Sequence, residues 1–242
     1  MTSRLNILGV ITARGGSKGL PGKNIKLLHG RPLISYSISA VQKSTLVSRL
    51  IVSTDDEEIA SVARAEGGEV PFIRPAELAQ DDTPHLPVMQ HAVSFMENQE
   101  GLTYDMAVIF QPTSPFRLVE DIDLTIQKLI DHPEADSAVS LCEVEGSAHP
   151  LKVKKMEGDS VVSYCMEESE GMRRQDFPMA YKRSGAVYVI RRETLLQKER
   201  LYGDLVVGHI VPKERSIDID TPLDWVRAEY ILDELKRKGY AF

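Results

Sequence analysis

Residues 11–24, ITARGGSKGLPGKN, set Arg14, Lys18 and Lys23 among four glycines with no acid between them. Glycine lets backbone N–H groups turn toward a ligand, and the cations supply charge for an anion such as a phosphate. Two common phosphate motifs fail here. A P-loop would need glycine at Ser17 and a hydroxyl at Asn24, and the dinucleotide fingerprint Gly-x-Gly-x-x-Gly is broken by the same Ser17. The segment therefore reads as a phosphate-binding loop of another kind, set against a flexible basic surface loop.

A second group lies near the other end, in SIDID, residues 216–220. In a strand, Asp218 and Asp220 would share one face about 7 Å apart at their Cα atoms, with Ile217 and Ile219 toward the core. Paired carboxylates are hard oxygen ligands of the kind Mg²⁺ takes, with water and phosphate oxygens completing its shell. Asp220 or Thr221 also suits the cap of a helix starting near Pro222, and the two roles are compatible. Gln111 puts an amide directly after an apolar run, where ligands meet parallel sheets. The six histidines show no metal-ligand spacing.

Charge is segregated. The chain carries −7 overall, which argues against a nucleic-acid binder, yet its first acid is Asp55. Before it stand Arg4, Arg14, Lys18, Lys23, Lys26, Arg31, Lys43 and Arg49, so an anion is expected near this segment. Lys26 and Arg31 read as a solvated helix start. With 242 residues, 42% apolar and 27% charged, the chain can bury a substantial core. It has no apolar run of transmembrane length and no signal-peptide pattern. Cys142 and Cys165 suit packing in a reducing compartment better than a disulfide. A soluble, cytoplasmic protein without membrane partners is expected.

The elements that must position these groups alternate. LNILGVITA, RLIVSTD and MAVIFQPTSP read as buried strands, and LISYSISAVQKS, DDEEIASVARAEGG and LPVMQHAVSFMEN as helices. Thr54 and Asp55 are cap candidates for the second helix, and Gly67 its stop. Asp81, Asp82 and Thr83 suit the cap region of the third. This alternation predicts an α/β fold with an open, mainly parallel sheet and helices on both faces. After residue 143 the pattern becomes β-rich. LKVKKMEGDSVVSY reads as a hairpin around Gly158-Asp159, and SGAVYVIRRETL as a further strand. The expected organisation is an α/β domain, 1–143 and 206–242, interrupted by an inserted β-rich lobe, 144–205. The closing helix, PLDWVRAEYILDELKRK, should bury Trp225, Ile231 and Leu235.

Five motifs occur in order: ARGGSKGLPGKNIK, VSTDDEEIA, IRPAELAQDDT, FQPTSPFR and SIDIDTPLDW. Together they resemble the CMP-sialic acid synthetases, the N-acylneuraminate and nonulosonate cytidylyltransferases, over essentially the whole chain. The resemblance implies a Rossmann-like nucleotidyltransferase fold, a homodimer built through the inserted lobe, and Mg²⁺-dependent use of CTP. The implied reaction is attack by a nonulosonic acid's anomeric hydroxyl on the α-phosphate of CTP, releasing pyrophosphate. By the same resemblance, Arg14 and Lys18 hold the triphosphate, Lys23 is the cation nearest the α-phosphate, and Asn24 reaches ribose or phosphate oxygens. Arg74 and Thr83 contact the nucleotide, and Asp218 and Asp220 ligate the metal. Gln111, Lys152, Arg174 and Tyr188 fall on the sugar side, Arg174 being a candidate to reach the site of a second subunit and Tyr188 equally a core residue. Arg117 suits a cap or a pair with Glu120 and receives no role. One departure concerns the sugar: relatives often read Asn-Gly-Ala where this chain has Ser184-Gly185-Ala186. Rival readings are a 3-deoxy-manno-octulosonate cytidylyltransferase, another sugar nucleotidyltransferase, or a nucleotide-binding regulator without catalysis.

Overall fold

The computed structural model of the protein describes residues 5–242; Arg4 lies outside them. In chain order the strands are β1 (Ile7–Thr12), β2 (Leu27–Leu28), β3 (Arg31–Pro32), β4 (Arg49–Ser53) and β5 (Met106–Phe110). They continue with β6 (Ser137–Glu143), β7 (Lys154–Glu157), β8 (Ser160–Ser163), β9 (Tyr181–Arg191) and β10 (Val206–Ile210). The helices are α1 (Leu33–Gln42), α2 (Glu57–Ala65), α3 (His85–Glu100), α4 (Val119–Asp131), α5 (Arg192–Leu196) and α6 (Pro222–Arg237).

Six strands form one sheet in the order β10-β6-β9-β5-β1-β4. β1 runs parallel to β4 and β5, and β6 parallel to β10, while β9 is antiparallel to both its neighbours. Strands buried on both faces read as near-continuous apolar runs, and alternate residues of β1 and β5 serve opposite layers. Ile7, Ile11, Val108 and Phe110 face α1, α2 and α4, whereas Leu8, Val10, Ala107 and Ile109 face α3 and α5. The expected α/β architecture, a mostly parallel sheet covered on both sides, is what the chain forms. A third cluster packs α6 through Trp225, Leu232 and Leu235 against Leu28, Leu33 and Phe116, with Ile231 partly buried beside it.

Three expectations need correction. The segment 144–205 does not stand apart as one lobe: β9 enters the centre of the main sheet, with Val187, Val189 and Ile190 buried. A strand apolar on both faces cannot remain on an exposed lobe without leaving that surface in water. What lies outside the sheet is 144–180, including the β7–β8 hairpin with Gly158 in the left-handed region at its turn, and 192–205, which contains α5. The cap of α2 is Asp56, whose carboxylate accepts from the Glu58 and Ile59 amides at 2.8 and 3.0 Å. Asp55 is instead turned to the N-terminal loop, accepting from the Gly15 amide at 3.1 Å. Lys26 and Arg31 are not merely solvated: Lys26 lies 5.1 Å over the Trp225 ring, and Arg31 donates to the Phe242 carbonyl at 2.6 Å. Both pin the C-terminal segment against the chain's first turns.

Cys142 is buried and Cys165 exposed, both free. Among the described residues no helix is long and apolar enough to cross a membrane.

Candidate active site

β1, β4 and β5 run parallel, so their carboxyl ends meet at one edge of the sheet, where open α/β folds bind ligands. The loops leaving them enclose a cleft of about 560 Å³ lined by Arg14, Lys18, Lys23, Asn24, Arg74, Thr83, Gln111 and Asp220, among others. Eight of the expected site residues are thus brought together from four separate stretches of chain.

The floor is built by close approach. Gly19 lies against residue 220, where an added Cβ would collide with the Asp220 carbonyl oxygen. That contact brings the glycine loop onto the SIDID segment. Lys23 begins a short 3-10 turn, Lys23–Ile25, and is buried. Its Nζ donates to the Ile219 carbonyl at 2.7 Å and to Asp220 Oδ1 at 2.9 Å. A buried ammonium needs such oxygen partners to offset its lost hydration. Asn24, also buried, donates its amide to the Arg14 carbonyl at 2.9 Å, so it shapes the loop from within. Arg74 packs under the end of β4, its Nε 3.0 Å from Ser53 Oγ and its Nη2 on the Ser53 carbonyl. Burial lowers Arg74 to about 10, with Asp55 opposing, so the guanidinium stays charged at neutral pH.

The rim is different. Arg14 Nη1 meets Asp81 Oδ1 at 2.8 Å, and Lys18 Nζ pairs with Asp81 Oδ2. Asp81 does not cap α3; Pro84 holds the position before that helix, without any side-chain cap bond. The reason is the loop geometry: a short turn at Ala76–Leu78 and the Thr83 amide on the Gln80 carbonyl leave Asp81 facing the glycine loop. Thr83 lines the cleft, its hydroxyl 3.4 Å from the Glu77 carbonyl.

On the other side, Gln111 follows β5. Its carbonyl accepts from Arg117, a fully buried guanidinium that also holds the Ala186 carbonyl at 2.9 Å and Ser37 Oγ at 2.6 Å. Arg117 therefore neither caps nor pairs with Glu120; it fastens the Gln111 turn to β9 and α1. The Gln111 amide nitrogen stands 3.5 Å from His85 Nε2. Burial and the Arg74 charge both depress the His85 pKa, which favours a neutral ring able to accept from that amide. Tyr188 opens onto a cavity of about 210 Å³ shared with His85, Gln111, Arg183 and Tyr202, adjoining the cleft. Burial pushes its hydroxyl up to about 12, so it remains protonated. Ser184 points away from the cleft: its Oγ donates to Ser140 Oγ at 2.7 Å in a buried pair beneath the β6–β9 irregularity. Next to it Gly185 has φ +79°, and a Cβ there would strike Ser114 Oγ.

SIDID does not form a strand. Residues 216–220 run between the Lys213–Arg215 turn and α6 and are tied to the β5 loop by the Ile219 amide on the Thr113 carbonyl, at 2.9 Å. The buried Arg215–Asp121 ion pair clamps one end, and Thr221 caps α6 with Asp224 at the other. Burial still alternates, with Ile219 fully buried, but the two acids do not share one face as expected: Asp220 lines the cleft, and Asp218 opens on an adjacent concavity of about 790 Å³. Desolvation raises the Asp218 carboxyl, the Thr113 hydroxyl opposes this, and the Asp220 charge adds to it. The two acids thus sense each other. Among the described residues no three His, Cys, Asp or Glu side chains gather around one point.

Lys152 and Arg174 are not brought to the cleft of this chain. Both are exposed in the 144–180 segment: Lys152 lies 3.6 Å from Glu168 and over Phe177, and Arg174 packs on Gly146 beside a separate cavity. Sequence reasoning also missed residues that the structure adds. The sequence offers Asp81 as a capping residue and Arg117 as a cap or a partner of Glu120, and gives His85 no role. For His85 the single available signal was its place just after Pro84 in a loop already thought to face ligand.

Comparison with known proteins fits this geometry. A family model described as Cytidylyltransferase matches residues 8–234. CMP-N,N'-diacetyllegionaminic acid synthase of Legionella pneumophila is 32% identical over 95% of this chain and 97% of its own. Pseudaminic acid cytidylyltransferase of Campylobacter jejuni is 30% identical over 90% of this chain and 92% of its own. Among solved structures, CMP:2-keto-3-deoxy-manno-octonic acid synthetase complexed with CTP superposes with a TM-score of 0.70, covering 95% of this chain and 99% of that one. At 18% identity that likeness concerns the fold.

Proposed function

The chain belongs to the cytidylyltransferase family, and from that premise we propose that it transfers CMP from CTP to the anomeric hydroxyl of a sialic acid-like nonulosonic acid, releasing pyrophosphate. The observation that carries this reading is the cleft itself, with Arg14, Lys18 and Lys23 on one side and the Gln111 amide on the other. Relatives named for legionaminic and pseudaminic acid support the acceptor class.

Charge develops on the α-phosphoryl oxygens and on the departing pyrophosphate, so the protein's work is positioning and electrostatic stabilisation. In this reading Lys23, held by a main-chain carbonyl and Asp220, presents a fixed positive charge to the α-phosphate. Arg14 and Lys18 receive the outer phosphates. Arg74 and Thr83 border the nucleotide, and Asn24 holds the loop in shape. Gln111, oriented from behind by Arg117 and beside it by His85, offers its amide to the acceptor, with Tyr188 in the adjoining cavity.

Mg²⁺ takes hard oxygen ligands and leaves positions for substrate phosphates and water, and Asp220, which lines the cleft, with Asp218 on the adjoining concavity, are the residues that would hold it. When bound, such an ion supplies charge neutralisation at the phosphates and lowers the pKa of a coordinated hydroxyl. Lys152 and Arg174 would join the sugar side through a homodimer, each subunit lending its 144–180 segment.

The test is pyrophosphate release with CTP, Mg²⁺ and a panel of unphosphorylated nonulosonic acids, with ATP, GTP and UTP as controls. Release with CTP and one acid is the expected result and names the acceptor. Release only with a phosphorylated sugar, or with another nucleotide, would overturn it.

A further inference from the structure

The rim of the cleft contains an acid where the nucleotide's phosphates are expected. We propose that Asp81 competes with the phosphate chain for Arg14 and Lys18, and so tunes both how tightly the cleft holds triphosphate and how readily pyrophosphate leaves. The inference rests on the function proposed above.

Its geometry resembles that of a phosphate. One carboxylate oxygen goes to each cation, Oδ1 to Arg14 and Oδ2 to Lys18, and the Gln80 carbonyl adds a 3.3 Å contact to the same Arg14 nitrogen. These contacts span the cleft, joining the glycine loop to the 75–84 loop. That loop is otherwise braced from within: Gln80 Nε2 donates to the Ala76 carbonyl at 2.7 Å, and the Thr83 amide to the Gln80 carbonyl at 3.2 Å. Asp81 can therefore release its cations while its own loop keeps its shape.

The pairs are also of the exchangeable kind. The Arg14, Lys18 and Asp81 side chains are 34%, 79% and 44% exposed, against 9% for Lys23. Exposed ion pairs are weak and screened, and a polyvalent phosphate outbids a single carboxylate for the same cations. The Lys18 and Arg14 hydrogen bonds keep the Asp81 carboxyl below its usual range, so it is ionised at neutral pH. A charged ligand thus meets a rival anion on arrival, and departing pyrophosphate meets one that takes its place.

Asp82 provides the comparison. It is exposed beside Asp81, carries the same charge, and makes no ion pair among the described residues. The experiment measures binding of inorganic tripolyphosphate and pyrophosphate by calorimetry at fixed Mg²⁺ and ionic strength, with the KM for CTP alongside. Asp81→Asn should bind both anions about threefold to tenfold tighter, the range that two exposed ion pairs supply. Pyrophosphate should inhibit that variant correspondingly more strongly. A gain of affinity cannot arise from misfolding. Asp82→Asn should change binding less than about twofold, since an exposed carboxylate that pairs with neither cation is screened by solvent. Unchanged or weaker binding in Asp81→Asn, or equal tightening in Asp82→Asn, overturns the competition. Arg14→Ala separates the two levels: if it weakens anion binding while Asp81→Asn does nothing, the cradle stands and the competition falls. If Arg14→Ala leaves anion binding intact, both fall.

Discussion

The floor and the rim of the cleft use the same residue types for opposite ends. On the floor Lys23 and Arg74, and behind the Gln111 turn Arg117, are buried, and each is held by carbonyls, hydroxyls or a carboxylate at fixed positions. On the rim, Arg14 and Lys18 meet one exposed acid directly, at the solvent surface. A buried cation that loses its partners faces a large desolvation penalty, so it stays where the fold puts it; an exposed one can trade partners at little cost. The floor thus sets geometry, and the rim handles ligand exchange.

Substitutions should separate the two zones. The largest effect is expected at Lys23: Lys23→Ala should lower kcat about 100- to 1000-fold, the scale of losing one preorganised donor, with a smaller change in the KM for CTP. Steady-state kinetics with varied CTP checks it, and a loss confined to KM would make floor and rim alike. Next, Arg117→Leu leaves the Gln111 and Ala186 carbonyls without their buried donor. It should cost about 3 kcal/mol of stability, a drop in Tm of roughly 6–12 °C for a domain of this size, read by denaturant and thermal melts. At the rim, Arg14→Ala should raise the KM for CTP about tenfold while kcat changes less than about threefold. A kcat collapse there would show that the rim takes part in the chemistry.

The smallest effect belongs to an ion pair remote from the cleft. Arg192 makes two contacts to Glu97, at 2.7 and 2.9 Å, and holds that carboxyl below its ordinary value of 4.5. A depressed acid contributes stability above its unfolded pKa and loses it as pH falls through the folded one. Glu97→Gln should therefore cost less than about 1 kcal/mol at pH 7, with the two stability curves converging as pH falls below 4.5 and through the folded value. Curves that stay parallel to low pH would remove the pair as the cause.

Much of this arrangement was legible. The apolar runs at Ile7, Ile51 and Val108 became adjacent parallel strands because buried strands need apolar residues on both faces. The glycine loop and Gln111 followed as the groups leaving those strands. The cap of α6 was legible as well, since Thr221, Pro222 and Asp224 act within one turn. Strand-like patterning located most of β9 along the chain, although the pattern's last residues, from Arg192, form α5, and it did not place the strand in space. Its partners, β5 and β6, lie more than 30 residues away, and a strand's local pattern does not say which sheet receives it. SIDID failed for a related reason: its alternation of burial is genuine, but what it pairs with is decided in space, the Ile219 amide going to the Thr113 carbonyl of the β5 loop rather than to a strand.

Local chemistry in the sequence determined which residues can bind phosphate, which strands are buried and where helices begin, because those properties depend on neighbours within a few positions. Tertiary structure alone decided what each charge faces. Lys23 meets Asp220 across 197 positions, Arg14 meets Asp81 across 67, and Arg117 reaches Ala186 across 69. The worth of a charge depends on its burial and its partner, and both are products of the packed chain.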